Sequence, residues 1–191
     1  DQLCGDRLII QRKRGHRAAT DDQLLAWGGI NLWEAPFEPS VLDLGSGKGT
    51  VSLILSAYWS QAHLIGIEAF EQSYRIALKN RDLNELKDQF FPLLGDLRDP
   101  HILKRGCSLI HRLRPTAETG FDLIVGAPPF MPVGSGVLPQ DPQRATGRFE
   151  LRGGLEAYLE AMESCLKKRS TSRALLLLDG ASEARTLTAI H

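Results

Sequence analysis

The stretch SVLDLGSGKG, residues 40 to 49, constrains the fold more than any other part of the chain. A run of strand character stops at a loop with glycine at every second position, Gly45, Gly47 and Gly49. A helical pattern follows at once in GTVSLILSAYWSQ (49–61). Glycine has no Cβ, so such a loop can turn through left-handed backbone and let another molecule approach closely. The same strand-then-helix order recurs. AHLIGIEA (62–69) reads as a second strand and FEQSYRIALKNRDLNEL (70–86) as a second helix. QFFPLLGDL (89–97) reads as a third strand, with Pro92 putting it at an edge or shortening it. RDPHILKRGCSLIHRLR (98–114) reads as a helix and GFDLIVGAPP (120–129) as a fourth strand. In GGLEAYLEAMESCLKK (153–168), Leu155, Tyr158, Leu159, Met162, Cys165 and Leu166 fall on one helical stripe. RALLLLD (173–179) reads as a fifth strand, and its unbroken apolar run suits cover on both faces.

This alternation predicts an α/β fold of Rossmann-like type, a mostly parallel sheet with helices on both faces. Ligands of open parallel sheets bind beyond the carboxyl ends of the strands. The residues to read for function are therefore those that follow each strand. Composition narrows the field further. The chain of 191 residues is long enough for one full core, and 42% apolar with 24% charged residues is ordinary for a soluble globular chain. Formal net charge is zero, so a nucleic-acid partner would need a local basic patch. Cys4, Cys107 and Cys165 lack metal-ligand spacing and read as reduced thiols of a cytoplasmic protein, with no metal expected. No apolar run approaches the ~20 residues of a membrane span, and the first residues lack the apolar centre of a secretion signal, so no membrane partner is expected. The absence of a first Met reads as a trimmed start.

Three readings of the glycine loop compete. A phosphate-binding loop needs Gly-Lys followed by Ser or Thr, whereas Lys48 is followed by Gly49. A dinucleotide fingerprint needs G-x-G-x-x-G, whereas the spacing here is G-x-G-x-G and Asp43 stands two residues before the first glycine. A carboxylate there would repel a pyrophosphate and suit a ligand with positive charge. S-adenosylmethionine carries an ammonium and a sulfonium and no phosphate. Glu68 can take two hydrogen bonds from ribose hydroxyls, and Asp96 in GDL can reach an adenine edge. Each acid alone would read as a solvated loop residue or a helix cap. Their succession at three strand ends favours the ligand reading. Lys48 reads as a solvated side chain.

The motifs VLDLGSGKGTVSL, LIGIEA, GDLRD and FDLIVGAPPF resemble those of class I S-adenosylmethionine-dependent methyltransferases. With IIQRKRGHRAATDDQLLAW and LPQDPQRATGRFELRGGLEAYLEAM they resemble, from about residue 8 to about residue 180, the tRNA adenine-N6 methyltransferase-like family close to the bacterial enzyme for valine tRNA. The resemblance implies methyl transfer from S-adenosylmethionine, leaving S-adenosylhomocysteine, to the exocyclic amine of adenine in RNA, with tRNA as the partner. It implies cofactor contacts from Arg17, Asp21, Asp43, Gly45, Gly47, Glu68, Asp96 and Leu97. It implies that Ala127, Pro128, Pro129 and Phe130 hold the acceptor base, as Asn/Asp-Pro-Pro-Tyr/Phe does in the family. Pro128, Pro129 and Phe130 match that pattern and Ala127 does not, so the side-chain acceptor is missing. Ala18 and Phe149 also depart from it. Ala127 leaves open an engineered change, another acceptor such as a protein glutamine, a guanine amine or a small molecule, and a catalytically weakened RNA-binding or partner subunit.

The resemblance divides the chain into a cofactor-covering, RNA-contacting segment (1–39) and a methyltransferase core (40–191). Arg7, Arg12, Lys13, Arg14 and Arg17 form the densest basic cluster, either a solvated face or a phosphate-tracking patch to which Arg144 and Arg148 could add. VGSGVLPQDPQRATGR (133–148) is a long Gly/Pro-rich loop of the kind that is functional or mobile. The family's sheet continues past ALLLLDG, so further chain is expected beyond His191 to cover an otherwise exposed fifth strand.

Overall fold

The computed structural model describes residues 1–13, 15–115, 118–180, 185, 187 and 188. A short antiparallel hairpin, β1 (Gln2–Cys4) and β2 (Arg7–Leu8), leads into helix α1 (Thr20–Leu32). Then strands and helices alternate: β3 (Ser40–Leu44), α2 (Thr50–Tyr58), β4 (His63–Glu68), α3 (Glu71–Leu83), β5 (Phe90–Leu94) and α4 (Pro100–Leu113). They continue with β6 (Leu123–Gly126), α5 (Pro142–Arg148), α6 (Leu155–Cys165) and β7 (Arg173–Leu176). The five long-range strands form one parallel sheet in the order β5-β4-β3-β6-β7. The chain builds outward from β3 through β4 to β5, then crosses back to β6 on the other side. The ends of β3, β4 and β6 therefore meet where the strand order reverses, the place such sheets keep for a ligand.

Alternation along the strands supplies two cores. Val41, Leu64, Leu123 and Val125 face one layer with Leu25 and Ala26 of α1, Leu53 and Leu55 of α2 and Ala77 of α3. Leu42, Leu44, Ile65, Ile67 and Ile124 face the other, under Ile102 and Ile110 of α4 and Ala161 and Met162 of α6. The apolar run of β7 serves both, Leu175 packing into the first core and Leu176 into the second. Ile9, Leu25 and Trp33, all before residue 40, share the first core with the sheet.

The strand containing Pro92 is an edge strand, as the missing amide requires. The fourth strand is shorter than the 120–129 read from the sequence, because Pro128 and Pro129 cannot donate to a ladder. Two helices escaped the sequence reading. Helix α1 contains Gly28 and Gly29, which blur its period but let it press on the sheet: a Cβ at Gly28 would lie 2.9 Å from Leu175, and one at Gly29 would lie 3.4 Å from Val125. Helix α5 occupies the last turns of what the sequence presents as a long loop. The expected continuation of the sheet, and Arg14 of the basic cluster, lie outside the described residues.

At the amino end of the sheet, Lys167 donates to Asp122 at 2.8 Å, and both side chains are 4% exposed. Asp122 also accepts from the amide and hydroxyl of Ser40 at 2.9 and 2.7 Å, so the cluster pins β3, β6 and the end of α6 together. Replacing Lys167 with Met keeps most of the volume but leaves a buried carboxylate without its counter-charge. Lys167→Met should cost about 3–5 kcal/mol in urea unfolding. A loss below about 1 kcal/mol would show that the Ser40 bonds alone suffice.

Candidate active site

A cavity of about 170 Å³ opens at the carboxyl ends of the central strands. Its floor is the glycine loop, Gly45 to Lys48, and its walls come from Glu68 and Ala69 after β4, Gly95 to Leu97 after β5, and Ala127 and Pro129 after β6. The loop glycines have φ of +66° at Gly45 and +58° at Gly47. A Cβ at Gly47 would have no neighbour nearer than 4.0 Å, so the space above this peptide belongs to the crevice.

The acids divide by role. Glu68 reaches across from β4 and accepts from the amide of Gly47 at 2.8 Å and that of Phe70 at 2.6 Å. Burial pushes its carboxyl above the ordinary range, and the two amides oppose the rise. Asp96 lines the crevice but is held by Arg98 through bonds of 2.9 and 2.7 Å. That pairing keeps its carboxyl below the usual range. Asp43 lies under the loop, 2% exposed and outside the crevice lining. It accepts from the hydroxyl of Ser52 at 2.7 Å, and burial raises its pKa to about 7. Its visible contact is to α2. Leu97 is buried and adds an apolar wall.

Lys48 corrects the sequence reading. Expected in solvent, it is 4% exposed and lines the crevice. It has no carboxylate within salt-bridge distance among the described residues, although Asp22 and Glu68 are near enough to act on its charge. Desolvation lowers its pKa. The adjacent hydroxyl of Ser46 is buried with no hydrogen-bond partner. Lys48 thus brings a positive charge to the crevice with no direct counter-ion among the described residues, whereas the Ser46 hydroxyl lies on the β4 side, 2.7 Å from where a Cβ of Gly66 would stand.

The amino-terminal segment closes one side. The amide of Asn80, fully buried on α3, accepts from Ile10 at 2.6 Å and donates to the carbonyls of Ile10 at 3.1 Å and Lys48 at 2.9 Å. One side chain thereby ties this segment to the glycine loop. Gln143 of α5 accepts from the amide of His16 at 3.2 Å and donates to Ser73 at 2.8 Å, and both His16 and Gln143 line the crevice. Arg17 and Asp21, by contrast, are exposed and outside the lining; Arg17 lies 3.4 Å from Asp1. Asp22 lines the crevice instead, and its side chain accepts from the amide of Ala19 at 2.9 Å at the start of α1. Much of the basic cluster is engaged internally: Arg7 donates to Ser56 at 3.0 Å, and Arg12 pairs with Asp141 at 2.9 Å.

In the lip, Ala127 and Pro129 face the crevice, Pro128 is buried and Phe130 half-buried. The amide of Met131 donates to Arg148 at 2.9 Å and its carbonyl accepts from Glu150 at 3.0 Å, which anchors the lip's far end. The carbonyls of Pro128 and Pro129 accept no bond from the described residues. Phe149 is 1% exposed, and its apolar ring fits a packing position. Tyr158, read in the sequence only as part of a helical stripe, lines the crevice floor; no local motif marks it.

No family model matches the chain. It is 33% identical over 135 residues to a curated tRNA1(Val) (adenine(37)-N6)-methyltransferase of Porphyromonas gingivalis, covering 70% of this chain and 48% of that protein. It is 28% identical over 161 residues to the protein of the same name from Flavobacterium johnsoniae, covering 84% and 60%. It is 26% identical over 114 residues to a release factor glutamine methyltransferase of Fusobacterium nucleatum, covering 58% and 27%. The chain spans about half the length of the first of these relatives. The resemblance carried by the motifs agrees with these similarities.

The raised pKa of Asp43 has a signed consequence. The folded chain keeps this proton up to about pH 7, while the unfolded chain releases it near 3.8. The stability contributed by the protonated carboxyl is therefore lost as pH rises through about 7. Asp43→Asn removes this dependence. In urea unfolding at about pH 5 and about pH 8, the variant should gain on the wild type at the higher pH. A constant difference between the two curves would mean that Asp43 ionises normally.

Proposed function

We propose that the chain is an S-adenosylmethionine-dependent methyltransferase acting on the exocyclic amine of adenine in RNA, with tRNA the substrate class favoured by its relatives. The observation that carries this reading is the convergence of the glycine loop, Glu68 and the proline lip on one crevice. The similarity to curated methyltransferases supports it independently. A cytoplasmic location follows from such a substrate; no described helix is long and apolar enough to cross a membrane.

The residues present fit the cofactor. Glu68 retains lone pairs for ribose hydroxyls beyond those used by Gly47 and Phe70. Gly47 offers backbone with nothing above it. The methionine end of the cofactor carries an anion as well as two cations, and Lys48 suits the carboxylate while Asp22 suits the cations. We give Asp22 the place that the resemblance gave Asp21. Asp43 supports the loop from beneath.

When bound, S-adenosylmethionine supplies a methyl group activated by sulfonium. The chain's work is to hold the amine in line with that methyl and to keep water out. An adenine amine is a poor nucleophile because its lone pair is shared with the ring. Hydrogen bonds accepted from the amine favour a pyramidal, reactive nitrogen. The unengaged carbonyls of Pro128 and Pro129 are fixed acceptors on a rigid turn. Phe130 offers a ring for the base to stack on, a contact worth about 1–3 kcal/mol.

Two measurements test this reading. With labelled cofactor and separate pools of RNA, release factor and small metabolites, label should appear as N6-methyladenosine in RNA. Label in a release-factor glutamine would favour the other curated relative's chemistry, and cofactor binding without transfer would favour a binding subunit. In calorimetry, Lys48→Met should weaken S-adenosylhomocysteine roughly 10- to 150-fold, the loss of a bond to a charged group. It should leave methylthioadenosine, which has no carboxylate, unchanged. Equal weakening of both ligands would remove Lys48 from the carboxylate's site.

A further inference from the structure

The lip poses a chemical problem, since its first residue carries no polar group. The last paired residues of β3 and β6 are Leu44 and Gly126, so the next two, Gly45 and Ala127, leave the sheet side by side. Tyr158 of α6 lies against both strand ends. A Cβ at Gly126 would stand 2.9 Å from its ring, and a Cβ at Gly45 would overlap its hydroxyl. Both strands thus keep glycine where this one side chain crosses them. Tyr158 is 5% exposed and lines the same crevice as Ala127. Its hydroxyl makes no hydrogen bond to any described residue, unlike most buried tyrosines. Burial, and then the charges of Glu68, Asp43 and Asp96, push its ionisation further up, so the phenol stays protonated.

We propose that the hydroxyl of Tyr158 supplies the side-chain hydrogen-bond acceptor that Ala127 lacks, facing the acceptor amine from the α6 side of the crevice. The proposal rests on the adenine-amine reading above. A phenol oxygen has lone pairs to accept from an amine N–H, and its own proton can point elsewhere. It takes no proton in the reaction. The nitrogen–carbon bond forms as the sulfur–carbon bond breaks, the bonding pair goes to sulfur, and the amine proton leaves to water. Tyr158 strengthens only the approach, by a bond that tightens as the nitrogen becomes pyramidal. A tyrosine from a neighbouring helix then does what a side chain on the lip does elsewhere, and Gly45 and Gly126 leave it room.

Tyr158→Phe tests this with little change in packing. On an in vitro transcribed tRNA1(Val), the variant should lose about 10²–10³ in kcat, the usual effect of deleting one aligned donor or acceptor. Its dissociation constant for S-adenosylhomocysteine should stay within twofold of wild type. Adding Ala127→Asn to Tyr158→Phe should restore kcat at least tenfold, because the two side chains serve one bond. Unchanged turnover in Tyr158→Phe overturns the proposal and leaves the adenine reading intact. So does a joint loss of turnover and cofactor binding, which is what a packing role produces, and so does failure of the Asn rescue. A wild-type chain that binds S-adenosylhomocysteine but methylates no adenine overturns the adenine reading, and this proposal with it.

Discussion

The site depends on a backbone turn that carries almost no side chains and must be held from outside. Gly45 and Gly47 adopt left-handed backbone that L side chains avoid, so the loop cannot rely on its own packing. Two neighbours grip it, and a third fixes the helix that follows. Glu68 grips the amide of Gly47 from β4, the amide of Asn80 grips the carbonyl of Lys48 from α3, and Asp43 holds α2 through Ser52. Each restraint comes from a different element of the sheet layer. The parallel order that brings β3, β4 and β6 together is what makes a rigid loop possible at their ends.

The electrostatics of the crevice follow from that scaffold. Carboxylates in low-dielectric surroundings lose hydration and resist ionisation, and the raised pKa values of Glu68 and Asp43 record that cost. Lys48 is depressed for the same reason. A crevice that holds one strained acid, Glu68, beside one strained base, Lys48, suits a ligand with both signs of charge. The zwitterionic end of S-adenosylmethionine answers both.

The sheet was legible in the sequence because period and punctuation agree there. The first three apolar strands are each followed by a helix-period run, and glycine or proline closes the first and fourth. Pro92 even marked its strand as an edge. Helix α1 was not legible, since Gly28 and Gly29 weaken its pattern while serving contacts to β6 and β7. In the site, Gly45, Gly47, Glu68, Asp96, Leu97, Ala127 and Pro129 line the crevice, as their places after strands suggested. Lys48 was misread because a lysine between glycines looks solvated, whereas the fold buries it. Tyr158 and Gln143 are distant in sequence from the motifs, and tertiary packing alone brings them in. The basic cluster looked free because sequence does not reveal that Asp141 and Ser56 engage Arg12 and Arg7.

The most direct test of the central claim, that this turn and its neighbours cradle a nucleoside cofactor with a zwitterionic amino acid end, is a crystal structure with S-adenosylhomocysteine. The account predicts the ligand lying over Gly47, its ribose on Glu68 and its carboxylate at Lys48. A crevice left empty under saturating ligand, with the nucleoside bound elsewhere or not at all, would contradict it.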